Sequence, residues 1–257
     1  MNMVLLTAVG VGGATMVGAL IGFLFQGISH KFSDIVLSFA AGVMLAAAVL
    51  GLILPSLEYG GKYGLLITIV GIFVGALALN LIDKLVPHLH KLVGVEQEEH
   101  KNSSLSKVLL FVTAIAIHNF PEGLAVGVVL ASATTESANV PITMAIALAI
   151  GIAVQNFPEG AIISVPLHNN GTSKGKAFLL GALSGVVEPL GAVLTLLLAS
   201  VFTPVLPYLL CFAAGAMLYV VVEELIPEMS EGEHSHIGTI FFGIGFLMMF
   251  VLDNILG

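Results

Sequence analysis

Long stretches without charged residues dominate the chain. Val4–Phe25, Ile35–Leu57 and Tyr63–Ile82 contain no lysine, arginine, aspartate or glutamate. A helix needs about 20 apolar residues to cross the hydrocarbon core of a bilayer, so each stretch predicts one membrane-spanning helix. The first stretch has neither a basic segment before it nor a clear cleavage site behind it. We therefore interpret it as a retained span rather than a cleaved signal.

Five further apolar segments of similar length are interrupted by polar residues. The whole pattern predicts eight spans, at about 4–25, 35–57, 63–84, 107–131, 139–167, 176–200, 205–229 and 237–256. The connections between them are short, which predicts a single transmembrane domain over residues 1–257. The apolar runs are too long and unbroken for the alternating ~10-residue strands of an outer-membrane barrel. The predicted fold class is therefore an all-α integral membrane protein.

The composition agrees with this fold class. Of the 257 residues, 58% are hydrophobic and 9% are charged, whereas an average soluble domain is about 25% charged. The mean hydropathy is +1.08. These values exclude a water-soluble globular protein and a disordered chain. The single cysteine, Cys211, excludes an intrachain disulfide and a thiolate metal cluster.

The lysines predict the orientation of the spans in the membrane. Those in or beside the loops after spans 1, 3 and 5 are Lys31, Lys84, Lys91, Lys101, Lys107, Lys174 and Lys176, and the even-numbered loops hold only Lys62. Because positively charged loops stay in the cytoplasm, we expect the odd-numbered loops, including the long loop 85–106, to be cytoplasmic. Both termini would then be extracellular or periplasmic, and the expected location is the cell membrane.

The chain also repeats itself at an offset of 173 residues. The segment 40–45 matches the segment 213–218, and two glycines of span 1 match two of span 6. The matched glycines are Gly12 with Gly185 and Gly18 with Gly191. Five spans separate the two copies, so they run in opposite directions through the bilayer. Inverted repeats are typical of secondary transporters, with the binding site near the midplane at their junction. This predicts that the chemistry lies in spans 4 and 5.

The sequence Asn-Phe-Pro-Glu-Gly occurs in both of these spans, beginning at Asn119 and at Asn156. A polar residue precedes each copy, His118 in span 4 and Gln155 in span 5. Helical spacing places each of them on the same face as the glutamate four residues later. Each proline lacks an N–H and bends its helix, which suits a polar site better than a surface that faces lipid.

Three glutamates, Glu122, Glu159 and Glu188, lie within predicted spans, and we expect no buried lysine to neutralise them. A charge at the centre of a spanning helix costs about 2.5–3.5 kcal/mol on insertion scales, so such residues usually mark a pathway or a site. The glutamates would either take up protons, as structural hydrogen-bond donors, or bind a cation. Imidazole, carboxylate and amide oxygen together suit a borderline or hard divalent ion better than Cu(I).

Two ions would fit if Glu122 and Glu159 bridge them. His118 and Gln155 would then serve one ion, and Asn119, Asn156 and Glu188 would serve the other.

The two motifs, at 118–123 and 155–160, together with a glutamate in span 6, resemble the ZIP (Zrt/Irt-like) family of divalent metal transporters, in particular its bacterial GufA-like branch. The resemblance covers the whole chain. It implies a 3+2+3 arrangement of eight helices, a metal site between spans 4 and 5, import towards the cytoplasm and commonly a homodimer.

The resemblance also implies a set of metal ligands: His118, Asn119, Glu122, Gln155, Asn156, Glu159 and Glu188, with Met44 in span 2 as a weaker addition. Many members have a histidine where this chain has Gln155. Glutamine is a weaker and neutral donor for zinc, so iron, manganese, cobalt and cadmium stay open beside zinc.

Two further groups of residues have alternative interpretations. Glu223, Glu224 and Glu228 at the end of span 7 would either pass ions to the cytoplasmic mouth or simply end the span in solvent. The histidines and glutamates of the third and last loops would either receive metal or be ordinary solvated residues. They are His88, His90, Glu96, Glu98, Glu99 and His100, then Glu231, Glu233, His234 and His236.

The leading hypothesis is a divalent-metal permease and not an enzyme. The alternatives are a metal-selective channel, or an intramembrane metalloenzyme, which would need an open coordination position and a general base. The chain has no G-x-x-x-x-G-K-[ST] loop, so ATP is not the direct energy source. We expect no cofactor apart from the carried metal. The expected partners are divalent metal ions, membrane lipid and a second copy of the chain, without nucleic acid.

Overall fold

The computed structural model describes residues 2–24, 29–85, 104–134, 141–169, 171–201, 205–230 and 235–256. In this part of the chain the backbone is helical and contains no strand. The α-helices are α1 (Asn2–Leu24), α2 (His30–Ala46), α3 (Leu54–Tyr59), α4 (Gly64–Leu85), α5 (Ser104–Ala133), α6 (Ile142–Asn169), α7 (Lys174–Val201), α8 (Leu206–Val220), α9 (Ile226–Ser230) and α10 (Ser235–Leu256).

Six helical segments of the described residues are long and apolar enough to cross a membrane. Shorter apolar stretches, Leu6–Ile21 in α1 and Asn119–Ala133 in α5, complete a set of eight. The helices that contain these segments begin and end within a few residues of the spans expected from hydropathy. The prediction of an all-α integral membrane protein is confirmed.

Spans 2 and 7 each contain a π-helical turn. In span 2 the turn Ala47–Ile53 joins α2 to α3, and in span 7 the turn Val221–Leu225 joins α8 to α9. The offset of 173 residues maps 48–52 onto 221–225, so the two interruptions occupy equivalent positions. π-Helical turns are rare and occur often at functional sites. The equivalent positions of the two turns support the repeat independently of the sequence match.

The helix packing has an approximate twofold symmetry. Helix α1 packs against α6 and α7, while α7 packs against α5 and α1. In the same way α2 packs against α10, and α8 packs against α4. Exchanging α1 with α7, α2 with α8, α4 with α10 and α5 with α6 reproduces these pairs. The described helices therefore form two units of three spans around α5 and α6, which confirms the 3+2+3 arrangement with inverted repeats.

The two units meet where α1 crosses α7. A Cβ atom at Gly12 would collide with the backbone oxygen of Gly185, and a Cβ atom at Gly185 would collide with that of Gly12. These two glycines are equivalent under the repeat, so the symmetry axis passes between them. Only a residue without a side chain permits this approach of two backbones.

The outer helices of each unit present apolar side chains on their free faces. In α4, Leu65 and Phe73 are 68% and 69% exposed, and in α10, Leu247 and Ile255 are 60% and 75% exposed. Such a surface is unfavourable in water but is expected where a helix faces lipid. The buried polar residues lie on the opposite, inner side of the bundle.

Candidate metal site

Five of the predicted ligands form a buried polar cluster at the junction of the two units. Helix α5 contributes Asn119 and Glu122, α6 contributes Gln155 and Asn156, and α7 contributes Glu188. Each of these side chains is 2% exposed or less. Polar groups are expected at such depth only when hydrogen bonds or a bound ion satisfy them.

Glu188 accepts hydrogen bonds from three side chains. Asn119 Nδ2 donates to Oε1 at 3.3 Å, and Asn156 Nδ2 donates to Oε2 at 2.5 Å. The third donor is the Thr15 hydroxyl of α1, 2.9 Å from Oε1. Both carboxylate oxygens are therefore held by neutral donors from three different helices, and this contact connects α5, α6 and α1 to α7.

Glu122 has a different environment. Its Oε1 accepts a hydrogen bond of 2.7 Å from Gln155 Nε2, which links the two motif helices. Its Oε2 is buried and has no hydrogen-bond partner in the described part of the chain, and the same is true of Gln155 Oε1 and Asn156 Oδ1. A buried acceptor without a donor costs about 1–3 kcal/mol. Three acceptors without donors, on two adjacent helices, are suited to a cation.

The third carboxylate, Glu159, is half-buried. It interacts electrostatically with both Glu122 and Glu188. However, among the described residues no three His, Cys, Asp or Glu side chains lie close enough together to hold a metal ion. A metal in this cluster would therefore need the amide oxygens as well as the carboxylates. His118 lies in α5, but its side chain is outside the described part.

The two motifs dock on the two units in the same way. Asn119 Nδ2 donates to the backbone oxygen of Ser184 at 3.3 Å, and Asn156 Nδ2 donates to that of Val11 at 3.4 Å. Ser184 and Val11 are equivalent under the offset of 173 residues. The first motif thus binds α7 as the second motif binds α1.

The motif glycines repeat this correspondence. A Cβ atom at Gly123 would collide with the backbone oxygen of Glu188, and one at Gly160 would collide with that of Thr15. Glu188 and Thr15 are again equivalent positions. The glycine that ends each motif therefore allows α5 to touch α7 and α6 to touch α1 at the level of the site.

Comparison with known proteins agrees with this architecture. The sequence profile of the ZIP zinc transporter family matches residues 90–253. The chain belongs to this family. The resemblance inferred from the two motifs is confirmed, and since ZIP zinc transporters are transporters and not enzymes, so is the expectation that the chain is not an enzyme.

Curated relatives of this ZIP protein extend over most of its length. It is 38% identical to the zinc transporter ZIPB of Bordetella bronchiseptica, over 95% of this chain and 78% of the relative. It is 36% identical to the zinc transporter GufA of Myxococcus xanthus, over 96% of both chains. It is 39% identical to the zinc transporter ZupT of Chlorobaculum parvum, over 87% of this chain and 86% of the relative.

The structure describes the surroundings of some of the other predicted residues of this ZIP protein. Met44 is 1% exposed and packs in the apolar core. Glu223 and Glu224 lie in the π-helical turn of span 7, where Glu223 is exposed and Glu224 is half-buried. Glu228 lies in α9, but its side chain is outside the described part, as are residues 86–103 and 231–234 with their histidines and glutamates. His236 is exposed at the start of α10.

Sequence reasoning missed Thr15, although a signal for it was present. The offset that aligns Gly12 with Gly185 also aligns Thr15 with Glu188, and these two side chains form a hydrogen bond. A polar residue that the repeat pairs with a buried glutamate near the axis is therefore a candidate member of the site.

Proposed function

We propose that this protein imports divalent metal cations, zinc foremost, into the cytoplasm through a site between α5 and α6. The observation that carries the proposal is the set of three buried acceptor oxygens of Glu122, Gln155 and Asn156 that lack a donor among the described residues. A neutral solute would have to supply a hydrogen for each of them. A divalent cation needs no hydrogen and binds carboxylate and amide oxygens directly.

The proposed ligands are His118, Asn119, Glu122, Gln155, Asn156, Glu159 and Glu188. Glu122 Oε2, Gln155 Oε1 and Asn156 Oδ1 accept no hydrogen bond from the residues that the structure describes, so they offer the first contacts. Glu188 already accepts from three donors and supplies charge close by. A second ion, bridged to the first by Glu122 and Glu159, belongs to the same proposal.

This donor set favours a divalent ion of intermediate softness. Carboxylate and amide oxygens bind hard or borderline cations, and geometry more than affinity separates zinc from its neighbours in the first transition row. The relatives are named zinc transporters, and this supports zinc as the first candidate in our proposal. Because Gln155 is a neutral and weaker donor for zinc, we also propose iron, manganese, cobalt and cadmium as transported ions.

Metal would enter down its own gradient or the membrane potential. Two positive charges moving inward gain about 4.6 kcal/mol per 100 mV. The burial of all five cluster side chains favours a carrier over a permanently open channel. We propose that the two units move relative to one another about the site, as in other inverted-repeat transporters. We also propose that the protein lies in the cell membrane, in contact with lipid, with both termini external and the loop 85–106 in the cytoplasm. We further propose that it forms a homodimer.

The test is uptake of ⁶⁵Zn²⁺ by purified protein in liposomes. We expect saturable uptake by the wild type and loss of it in Glu122→Ala. Glu58→Ala is the matched control, because Glu58 is an exposed glutamate at the end of span 2, and it should transport as the wild type does. The proposal is wrong if the wild type accumulates no metal, or if Glu122→Ala transports normally.

A further inference from the structure

We infer that Thr15 is a positioning residue of the metal site, which holds the Glu188 carboxylate in place from the opposite unit of the repeat. The inference rests on the proposed function, since a ligand needs positioning only if metal binds. Thr15 lies in α1, outside both motifs and outside the ligand set. Its contribution would be to set the orientation of Glu188 rather than to touch the metal.

The first observation is the hydrogen bond itself. Thr15 Oγ1 lies 2.9 Å from Glu188 Oε1, and the two side chains are 0% and 1% exposed. The other donor to the same oxygen, Asn119 Nδ2, is farther away at 3.3 Å and also lies 3.3 Å from a backbone oxygen. The hydroxyl of Thr15 is therefore the principal donor to Oε1, and without it Glu188 could turn.

This hydrogen bond leaves the helix of its donor. Threonine hydroxyls in helices commonly donate to a carbonyl of their own preceding turn. Thr195 does so in α7, where Oγ1 lies 2.9 Å from the backbone oxygen of Ala192, and Thr134 does so at the end of α5. Thr15 instead donates across the interface between the two units, to the carboxyl group of Glu188.

The backbone around Thr15 is fixed by its neighbours. A Cβ atom at Gly160 of α6 would collide with the Thr15 backbone oxygen. A Cβ atom at Gly185 of α7 would come within 2.7 Å of the Thr15 Cβ. Helix α1 is thus in close contact on both sides at this position. Since a β-branched side chain also has few χ1 rotamers, the hydroxyl is presented to Glu188 from a well-defined position.

The repeat gives the pair its geometry. Thr15 and Glu188 are equivalent positions in the two units, so they face each other across the symmetry axis. One unit supplies the carboxylate and the other supplies the donor that orients it. With Oε1 held by Thr15, the second oxygen, Oε2, points towards Asn156, whose Oδ1 is one of the acceptors without a donor.

The experiment compares four proteins in liposomes over a range of ⁶⁵Zn²⁺ concentrations. They are the wild type, Thr15→Val, Thr15→Ser and Thr195→Val. Valine keeps the shape of threonine but removes the donor, and serine keeps the donor. Thr195→Val is the matched control, because it makes the same change at a buried threonine whose hydroxyl donates within its own helix.

We expect Thr15→Val to raise the half-saturating zinc concentration about tenfold, as loss of a hydrogen bond to a charged group implies. Thr15→Ser and Thr195→Val should stay near the wild-type value. The half-saturating concentration does not depend on the amount of protein, so poor expression cannot imitate this shift. If Thr15→Val is not recovered in folded form, Thr15→Ala replaces it and must show the same shift.

Two results would overturn the inference alone. The first is saturable wild-type uptake with an unchanged half-saturating concentration in Thr15→Val. The second is an equal shift in Thr15→Ser, which would assign the effect to packing rather than to the hydroxyl. Absence of uptake by the wild type would instead overturn the proposed function, and this inference with it.

Discussion

The two halves of the molecule use the same backbone contacts but carry different chemistry. The first motif docks on α7 through Asn119 and Gly123, and the second docks on α1 through Asn156 and Gly160. Asparagine and glycine, which build the contact, are the same in both halves. The difference lies in two pairs of positions, His118 against Gln155 and Thr15 against Glu188. The shared asparagines and glycines therefore build the docking contacts, and we expect the differing residues, together with the shared glutamates, to determine what binds.

The largest effects should come from the shared glycines. Gly123→Ala would place a Cβ atom on the backbone oxygen of Glu188, and Gly160→Ala would place one on that of Thr15. Both variants should therefore lower the stability of the protein by about 1–3 kcal/mol or more. Thermal unfolding in detergent measures this. Gly13→Ala is the control, because a Cβ atom there meets nothing within 4 Å. If one of the two motif variants is tolerated, the two docking contacts are not equivalent.

The second-largest effect is expected at Glu188, which the repeat pairs with Thr15. Glu188→Thr removes a carboxylate from the cluster, and we expect a loss of zinc affinity at least as large as the roughly 10–100-fold typical of residues that support metal ligands. Adding Thr15→Glu to this variant moves the carboxylate to the equivalent position of the other unit. Asn119 and Asn156 can donate to it there, so about tenfold of the affinity should return.

Zinc uptake over a concentration range separates these outcomes. If the double variant has no higher zinc affinity than Glu188→Thr, the symmetry of the backbone does not extend to the binding of the carboxylate. The single variant Thr15→Glu serves as a further control. It brings two carboxylates together near the axis and should transport less well than the wild type.

A smaller effect is expected at the other differing pair. Gln155→His makes the second motif identical to the first and replaces a neutral amide by a stronger zinc ligand. It also removes the amide donor to Glu122. We expect a several-fold shift in preference towards zinc over manganese, within about 1 kcal/mol. Competition between unlabelled manganese and ⁶⁵Zn²⁺ measures it, and an unchanged preference would remove Gln155 from the selectivity proposal.

The smallest effect should come from a polar contact that involves neither motif. Asn80 of α4 donates to the Tyr219 hydroxyl of α8 at 3.2 Å. Tyr219→Phe removes this acceptor and should cost about 0.5–1.5 kcal/mol of stability while zinc uptake stays unchanged. A clear fall in uptake, with the protein still folded, would mean that the outer helices take part in determining transport.

Much of the fold was predictable because its signals are local. Apolar runs give the spans, since length and hydropathy alone decide whether a helix can cross the bilayer. The spacing of four residues between Gln155 and Glu159, or between His118 and Glu122, gives a shared helix face. The repeat gives the arrangement of the units. None of these inferences requires knowledge of which side chains meet.

What the sequence did not predict depends on contacts between helices. The π-helical turn Ala47–Ile53 lies in an apolar segment, where the residue types resemble those of the surrounding helix. Thr15 became part of the site only because α1 and α7 touch. The motifs assign Glu122 and Glu159 the same role, yet Glu122 is 1% exposed while Glu159 is half-buried. Symmetry of sequence did not predict this difference in burial.

The most direct test of the central claim is an anomalous difference map from crystals of the protein soaked in Cd²⁺. We predict a peak at coordination distance from Glu122 Oε2, Gln155 Oε1 and Asn156 Oδ1, the three buried acceptors without donors in the described part of the chain. The peak should disappear in Glu122→Ala. Cadmium bound only at surface carboxylates such as Glu223, with no peak in the cluster, would contradict the claim that the metal passes through this site.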